Sequence, residues 1–159
     1  MMLEKSEGME ISMEYEITVK DIDDVMVVSE RFTGDYKDNI KYAMKLSKKY
    51  WKDKQGPIFS LYYDKEYQKV NDTECCIPVK AKYNKECKVI PGVRAVCTKH
   101  IGRYETIGNA YMAILQFLRQ NGLEMDVPTR LVFEKYPRNP VKVKDDDYVT
   151  EVIIPIKEE

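Results

Sequence analysis

Glu134 is the side chain of this sequence best placed to do chemistry. Alternate residues of a strand point to opposite faces. Over residues 130–136, Leu131 and Phe133 therefore share one face, and Val132, Glu134 and Tyr136 the other. The apolar pair is expected to pack under a helix. That turns Glu134 away from the helix layer, between an aliphatic and an aromatic neighbour. A carboxylate removed from water rises in pKa or waits for a cation. Tyrosine faces attract cations as well, so the surroundings suit a hydrophobic cation. Beside a tyrosine hydroxyl the same carboxylate could act as general acid or base toward a reactive ligand. A glutamate at a solvated strand end produces the same alternation, and the pattern leaves both readings open.

Other chemistry lacks parts. His100 is the sole histidine. His-rich metal sites and most nucleophilic triads are therefore missing components, and His100 is read as a half-exposed strand residue. Asp145-Asp146-Asp147 has neither the glycine nor the distal glutamate of a calcium loop and is read as a solvated hairpin. Cys75, Cys76, Cys87 and Cys97 form no C-x-x-C pair and are read as reduced thiols, in keeping with a cytoplasmic protein. Lys41, Lys45, Lys48, Lys49 and Lys52 are read as a solvated helix face. No glycine motif for phosphate is present, and no cofactor or metal is expected.

The elements that must position Glu134 are legible from periodicity. Strands are expected at 14–19, 25–29, 58–63, 73–79, 93–98, 130–136 and 150–156. Tyr36, Ile40, Ala43, Met44, Ser47 and Trp51 recur at helical spacing, closed by Gly56-Pro57. Tyr104, Ile107, Tyr111, Ile114, Leu115 and Leu118 form a second stripe, closed by Asn121-Gly122. Residues 1–11 are expected to form a frayed N-terminal segment, followed by one domain over 12–158.

These elements come twice. Phe32-Thr33-Gly34-Asp35-Tyr36 is echoed by His100-Ile101-Gly102-Arg103-Tyr104, and Leu61-Tyr62-Tyr63-Asp64 by Leu131-Val132-Phe133-Glu134. Thr73-Glu74-Cys75-Cys76-Ile77-Pro78-Val79-Lys80 is echoed by Thr150-Glu151-Val152-Ile153-Ile154-Pro155-Ile156-Lys157. The order points to an α+β fold of two βαββ modules, about 12–80 and 93–158, joined by a linker over 81–92. The modules are expected in a pseudo-twofold arrangement, with an antiparallel sheet and helices on one face. Tyr62 and Asp64 would then share a face with Glu134, opposite Phe59, Leu61 and Tyr63. These non-helical faces are expected to curve around one cleft at the seam.

Composition narrows the partners. Charged residues make up 33% of the 159, yet the formal net charge is −1. There is no basic excess for direct nucleic-acid binding. No apolar run reaches membrane-spanning length, and the N-terminal residues lack the pattern of a signal peptide.

His100-Ile101-Gly102-Arg103-Tyr104-Glu105, Glu134-Lys135-Tyr136-Pro137-Arg138-Asn139-Pro140 and Thr150-Glu151-Val152-Ile153-Ile154-Pro155-Ile156 stand in the order seen in GyrI-like proteins. The chain also resembles the effector-binding domains of MerR- and AraC-class multidrug-sensing transcription regulators. The resemblance covers about residues 15–157. It implies a ligand pocket between two modules, lined by aromatic residues around a central glutamate, which by motif position is Glu134. Tyr136, Tyr62, Tyr104 and Trp51 are the aromatic walls it implies. Gly-Asp-Tyr and Gly-Arg-Tyr stand where the family commonly has Gly-Pro-Tyr. No helix-turn-helix segment is read, so a stand-alone ligand module for hydrophobic, cationic or planar aromatic compounds is expected. The resemblance also implies two alternatives. One is a hydrolase of strained cyclopropane-containing DNA-alkylating compounds, with Glu134 and Tyr104 catalytic. The other is a protein-interaction role with DNA gyrase or a regulator.

Overall fold

The computed structural model describes residues 15–66, 68–80, 86–135 and 147–158. The chain opens with strands β1 (Thr18–Ile22) and β2 (Val25–Gly34), then helix α1 (Tyr36–Tyr50). Strands β3 (Phe59–Tyr62), β4 (Asn71–Pro78), β5 (Lys88–Ile90) and β6 (Val93–Ile101) follow. Helix α2 (Gly108–Gln120) and strands β7 (Thr129–Lys135) and β8 (Val149–Pro155) complete the fold. The class is α+β, as expected. All strands join one antiparallel sheet, in the order β1-β6-β8-β7-β3-β4-β2-β5. The order strand–helix–strand–strand occurs in β2-α1-β3-β4 and again in β6-α2-β7-β8. The expected segments 1–11, 81–85 and the 145–146 hairpin lie outside the described residues.

The sheet curls until its edges meet. β1 and β5 are the edge strands, yet the links that follow them touch. Gly92 N–H donates to Asp24 Oδ1 at 2.6 Å. A Cβ on Gly92 would run into the Ile22 carbonyl, so the close approach requires glycine. Curling buries the inner face without any helix. Val27, Phe59, Leu61, Cys76 and Ile90 form one cluster there, Ala95, Cys97 and Ile153 another, and Val132 packs against both. β5 falls inside the expected linker. Three residues are too few for a period to show, and β5 exists because β2 offers it an edge.

Both helices cover the outer face. Leu46 and Tyr50 of α1 pack there on Val28, Ile58, Cys75, Ile77 and Val79. Ala110, Ile114 and Leu118 of α2, with Ile107 just before it, pack on Val96, Leu131, Val152 and Ile154. Phe133 packs against both groups, at the seam between them. Cys75 and Cys76 point to opposite faces, as alternation requires, and all four cysteines are free. Burial pushes the Cys75 thiol up to about 12 and the Cys97 thiol up to about 11, which keeps them protonated and poorly nucleophilic. None of the described helices is long and apolar enough to cross a membrane.

The helix ends follow local rules. Asp35 caps α1 by accepting from Lys37 N–H and Asp38 N–H, and Asp38 answers by accepting from Asp35 N–H at 3.0 Å. A Cβ on Gly34 would strike the Asp38 side chain. Gly102, the glycine that echoes Gly34 in the sequence, has a different reason: it sits at φ +127°. Gly102→Ala is expected to cost about 1–2 kcal/mol, read as a lower urea midpoint at unchanged m-value. α2 ends with Gly122 at φ +64° and Leu123 N–H donating to the Leu118 carbonyl, the left-handed stop read from Asn121-Gly122.

Candidate functional site

Between α1 and α2, above the central strands β3 and β7, lies a cleft of about 1280 Å³. That exceeds the ~300–1,000 Å³ of ordinary small-molecule pockets. One wall is the α1 stripe Ile40, Ala43, Met44, Ser47 and Trp51, and the other is Tyr104, Ile107, Tyr111, Met112 and Leu115 around α2. Tyr62, Thr129, Leu131 and Phe133 form the floor between them.

The two helical stripes therefore do something other than fill the core. Met44 is 68% exposed, Trp51 66% and Met112 60%. The residues by which α1 packs on the sheet, Leu46 and Tyr50, lie around the corner of the helix. α2 divides its stripe: Ile114 and Leu118 go down into the core, while Tyr111 and Leu115 turn to the cleft.

Polar groups on the floor are held in place. Ser60 is wholly buried and donates to Asn39 Oδ1 at 2.6 Å. The Asn39 amide donates to the Tyr62 hydroxyl at 3.3 Å. Charges stand at the rim: Asp35, Asp64, Glu66 and Glu105 against Lys54, Lys65 and Lys69. Asp35 is committed to the α1 cap, and Asp64 accepts from Asp72 N–H at 2.7 Å.

The structure brings together Trp51, Tyr62 and Tyr104 on one cleft. It does not bring Glu134 there. Glu134 lies on the inner face of the sheet, where Lys99 Nζ donates to its Oε1 at 3.0 Å. The expectation that it faces away from the helices holds, but the cleft is on the helix side. Tyr62 also reverses its expected alignment. In the β3–β7 register Phe59 opposes Val132 and Tyr62 opposes Thr129. Tyr62 thus shares a face with Leu131 and Phe133, and Phe59, Leu61 and Tyr63 share the inner face with Val132. A bulge between Phe133 and Lys135 leaves Glu134 as the unpaired extra residue of the β7–β8 ladder. Tyr136 lies outside the described residues. Tyr104 and Glu134, the pair a hydrolase would use, stand on opposite sides of the sheet, which does not favour that alternative.

His100 is buried, 3% exposed, not half-exposed. Its Nε2 lies 2.9 Å from the Arg103 carbonyl and 3.1 Å from Thr106 Oγ1. A carbonyl only accepts, so Nε2 carries the proton and Nδ1 accepts from the Tyr15 hydroxyl at 2.9 Å. The ring fastens the turn Tyr104–Thr106 that precedes α2. Tyr104 is set further by aromatic contacts, edge-on to Phe133 with centroids 5.9 Å apart and tilted over Tyr148 at 5.2 Å. Sequence reasoning missed Phe133, Tyr111, Met44 and Met112 as cleft residues. The signal for Tyr111 and Met44 was present in the helical stripes, which serve equally for packing and for lining a groove; Met112 stood outside both stripes.

Comparisons with known proteins agree with this fold. EcmrR in a complex with DNA is 28% identical, with a TM-score of 0.80 over 92% of this chain. The chain spans 59% of that EcmrR chain. The crystal structure of the EcmrR C-terminal domain is 28% identical, with a TM-score of 0.79 over 91% of this chain and 99% of that one. SAV2435, solved bound to tetraphenylphosphonium, shares the fold at 12% identity, with a TM-score of 0.61 over 89% of this chain and 94% of that one. No curated protein matches the chain. The model of the GyrI-like small molecule binding domain matches residues 15–157, so the chain belongs to the GyrI-like family.

Proposed function

We propose that this protein binds hydrophobic small molecules, cationic or planar aromatic, in the cleft between α1 and α2. The observation that carries the reading is the exposed stripe of Met44 and Trp51 facing Met112 across one cleft with Tyr62, Tyr104 and Phe133 beneath. Large apolar side chains gathered in a groove mark a binding surface. Methionine walls repack around ligands of different shape, and tyrosine and tryptophan faces attract cations. Attraction for positive charge then comes from aromatic faces and from the rim carboxylates Asp64, Glu66 and Glu105. The repeated strand–helix–strand–strand order supports reading the cleft as the seam of a duplicated unit. The 12% identical SAV2435 was solved with tetraphenylphosphonium, and that lipophilic cation is a fitting first probe here.

Trp51 is the sole tryptophan, so its emission reports the cleft directly. Titration with tetraphenylphosphonium is expected to change Trp51 fluorescence saturably and to raise the melting temperature. Neither response, with this cation or with a planar aromatic dye, would remove the proposal. Trp51→Ala is expected to leave stability within about 0.5 kcal/mol of wild type. It should lower affinity about five- to tenfold, measured calorimetrically. Glu134→Gln is expected to leave the affinity unchanged. A marked loss in that variant would place the carboxylate at the ligand after all.

A further inference from the structure

The inner face of the curled sheet holds a cation that no carboxylate among the described residues pairs with directly. Arg130 is 7% exposed, and its guanidinium carbon sits 4.6 Å from the centroid of the Phe59 ring. Both nearby carboxylates are engaged elsewhere. Glu74 opposes Leu61, the cross-strand neighbour of Arg130, and accepts from Ser29, Tyr63 and Lys88. Glu151 opposes Val132, two positions along β7, and is paired with Lys20 at 2.8 Å. Among the described residues no acceptor claims the Arg130 N–H groups. Nor are its nitrogens sealed in: among the described residues, the one fully buried side-chain polar atom without a partner is Thr150 Oγ1, on the helix side of the sheet.

Arginine cannot shed its proton to escape this position, and a largely desolvated cation without an ion-pair partner favours an incoming anion. Burial does push the Arg130 pKa down, in the sense desolvation requires. The guanidinium lies over the Phe59 ring, and no side-chain acceptor among the described residues takes its N–H groups. Its N–H edge is the fork that matches two oxygens of a carboxylate or phosphate. The surrounding floor of Leu61, Val132 and Ile153 is apolar, which strengthens a charge-assisted contact by excluding water.

We propose that the inner face of the sheet carries a second binding site, separate from the helix-side cleft, for an oxyanion group (carboxylate or phosphate) anchored by Arg130. Phe59 holds the fork in place, and the pairing of Glu74 with Lys88 and of Glu151 with Lys20 keeps competing carboxylates away from it.

The test uses the full chain. Melting temperature is followed against sodium phosphate, sodium acetate and sodium chloride at matched ionic strength, in wild type and in Arg130→Gln. The expected result is a saturable rise with phosphate, with acetate or with both, beyond the effect of chloride. Its apparent affinity should fall about tenfold or more in Arg130→Gln. A rise with phosphate alone assigns a phosphate group, and a rise with acetate alone a carboxylate. Equal responses to all three salts in wild type, or a response retained in Arg130→Gln, would overturn the proposal. Should Arg130→Gln fail to fold, the wild-type protein decides: the Arg130 Nε–Hε resonance must shift saturably with inorganic phosphate or acetate, and a static resonance refutes the site. Tetraphenylphosphonium titration of Trp51 in Arg130→Gln should match wild type, so the two sites stand or fall separately.

Discussion

Tyr104→Ala is expected to weaken tetraphenylphosphonium binding by about 2–3 kcal/mol, roughly 30- to 150-fold in Kd. Tyr104 is the best-anchored aromatic of the cleft. Its backbone lies in the turn that His100 fastens, and its ring is fixed between Phe133 and Tyr148. A ring already held in place loses little freedom when a ligand stacks on it, which is why truncation should show almost wholly as lost affinity. The substitution also removes the edge contact that orients Phe133 on the floor, so two walls change at once. Tyr104→Phe separates the parts: it keeps the ring and should retain most of the affinity. Calorimetric titration of the three proteins decides the matter. A Tyr104→Ala variant with wild-type affinity would mean that the ligand sits elsewhere.

Glu74→Ala is expected to cost about 2–4 kcal/mol of folding stability, read from urea unfolding at neutral pH. Glu74 is 2% exposed and ties four strands together. Ser29 of β2 donates to Oε2 at 2.6 Å, Tyr63 at the end of β3 donates to Oε1 at 2.6 Å, and Lys88 of β5 pairs with it. Truncation leaves Ser29 and Tyr63 without their acceptor in the interior, while Lys88, half-exposed, can return to water. The pH dependence has a definite sign. Burial pushes the Glu74 carboxyl up, but the hydrogen bonds from Lys88, Ser29 and Tyr63 outweigh it, and the net shift is downward from 4.5. A folded pKa below the unfolded one stabilises fully above the unfolded value and is lost as pH falls through the folded value. Wild type should therefore lose this stability on acidification below about 4.5, and Glu74→Ala should show a flatter acid limb. An acid limb of equal slope in both proteins would show that other carboxylates carry it.

Much of the fold was legible in the chain. Asn121-Gly122 announces the end of α2, because left-handed stops are local chemistry. The alternation of 150–156 and of 130–136 reports strands because side-chain direction there depends only on the adjacent backbone. Trp51, Tyr62 and Tyr104 were legible as candidates for the site, and all three line the cleft. Phe133 was not, since an apolar residue on the helix-facing side of a strand reads as core. His100 looked half-exposed because nothing local indicates that the turn Tyr104–Thr106 folds back onto its ring.

The sequence by itself determined the class of fold, the helices and most of the strands, and it marked three of the aromatic residues that line the cleft. Only the tertiary structure decided which strand faces meet in the cleft. Alternation ranks residues within one strand but says nothing of its phase against the next, and a shift of one residue moves every side chain to the other side. The pairing of Phe59 with Val132 set that phase, placing Tyr62 with Leu131 and Phe133 under the helices. The same pairing, with the bulge after Phe133, left Glu134 on the inner face beside Lys99 and put Arg130 there without a carboxylate partner among the described residues. Curling of the sheet then buried the part of that face around Phe59, Leu61 and Ile153, because edges joined through Asp24 and Gly92 close over it.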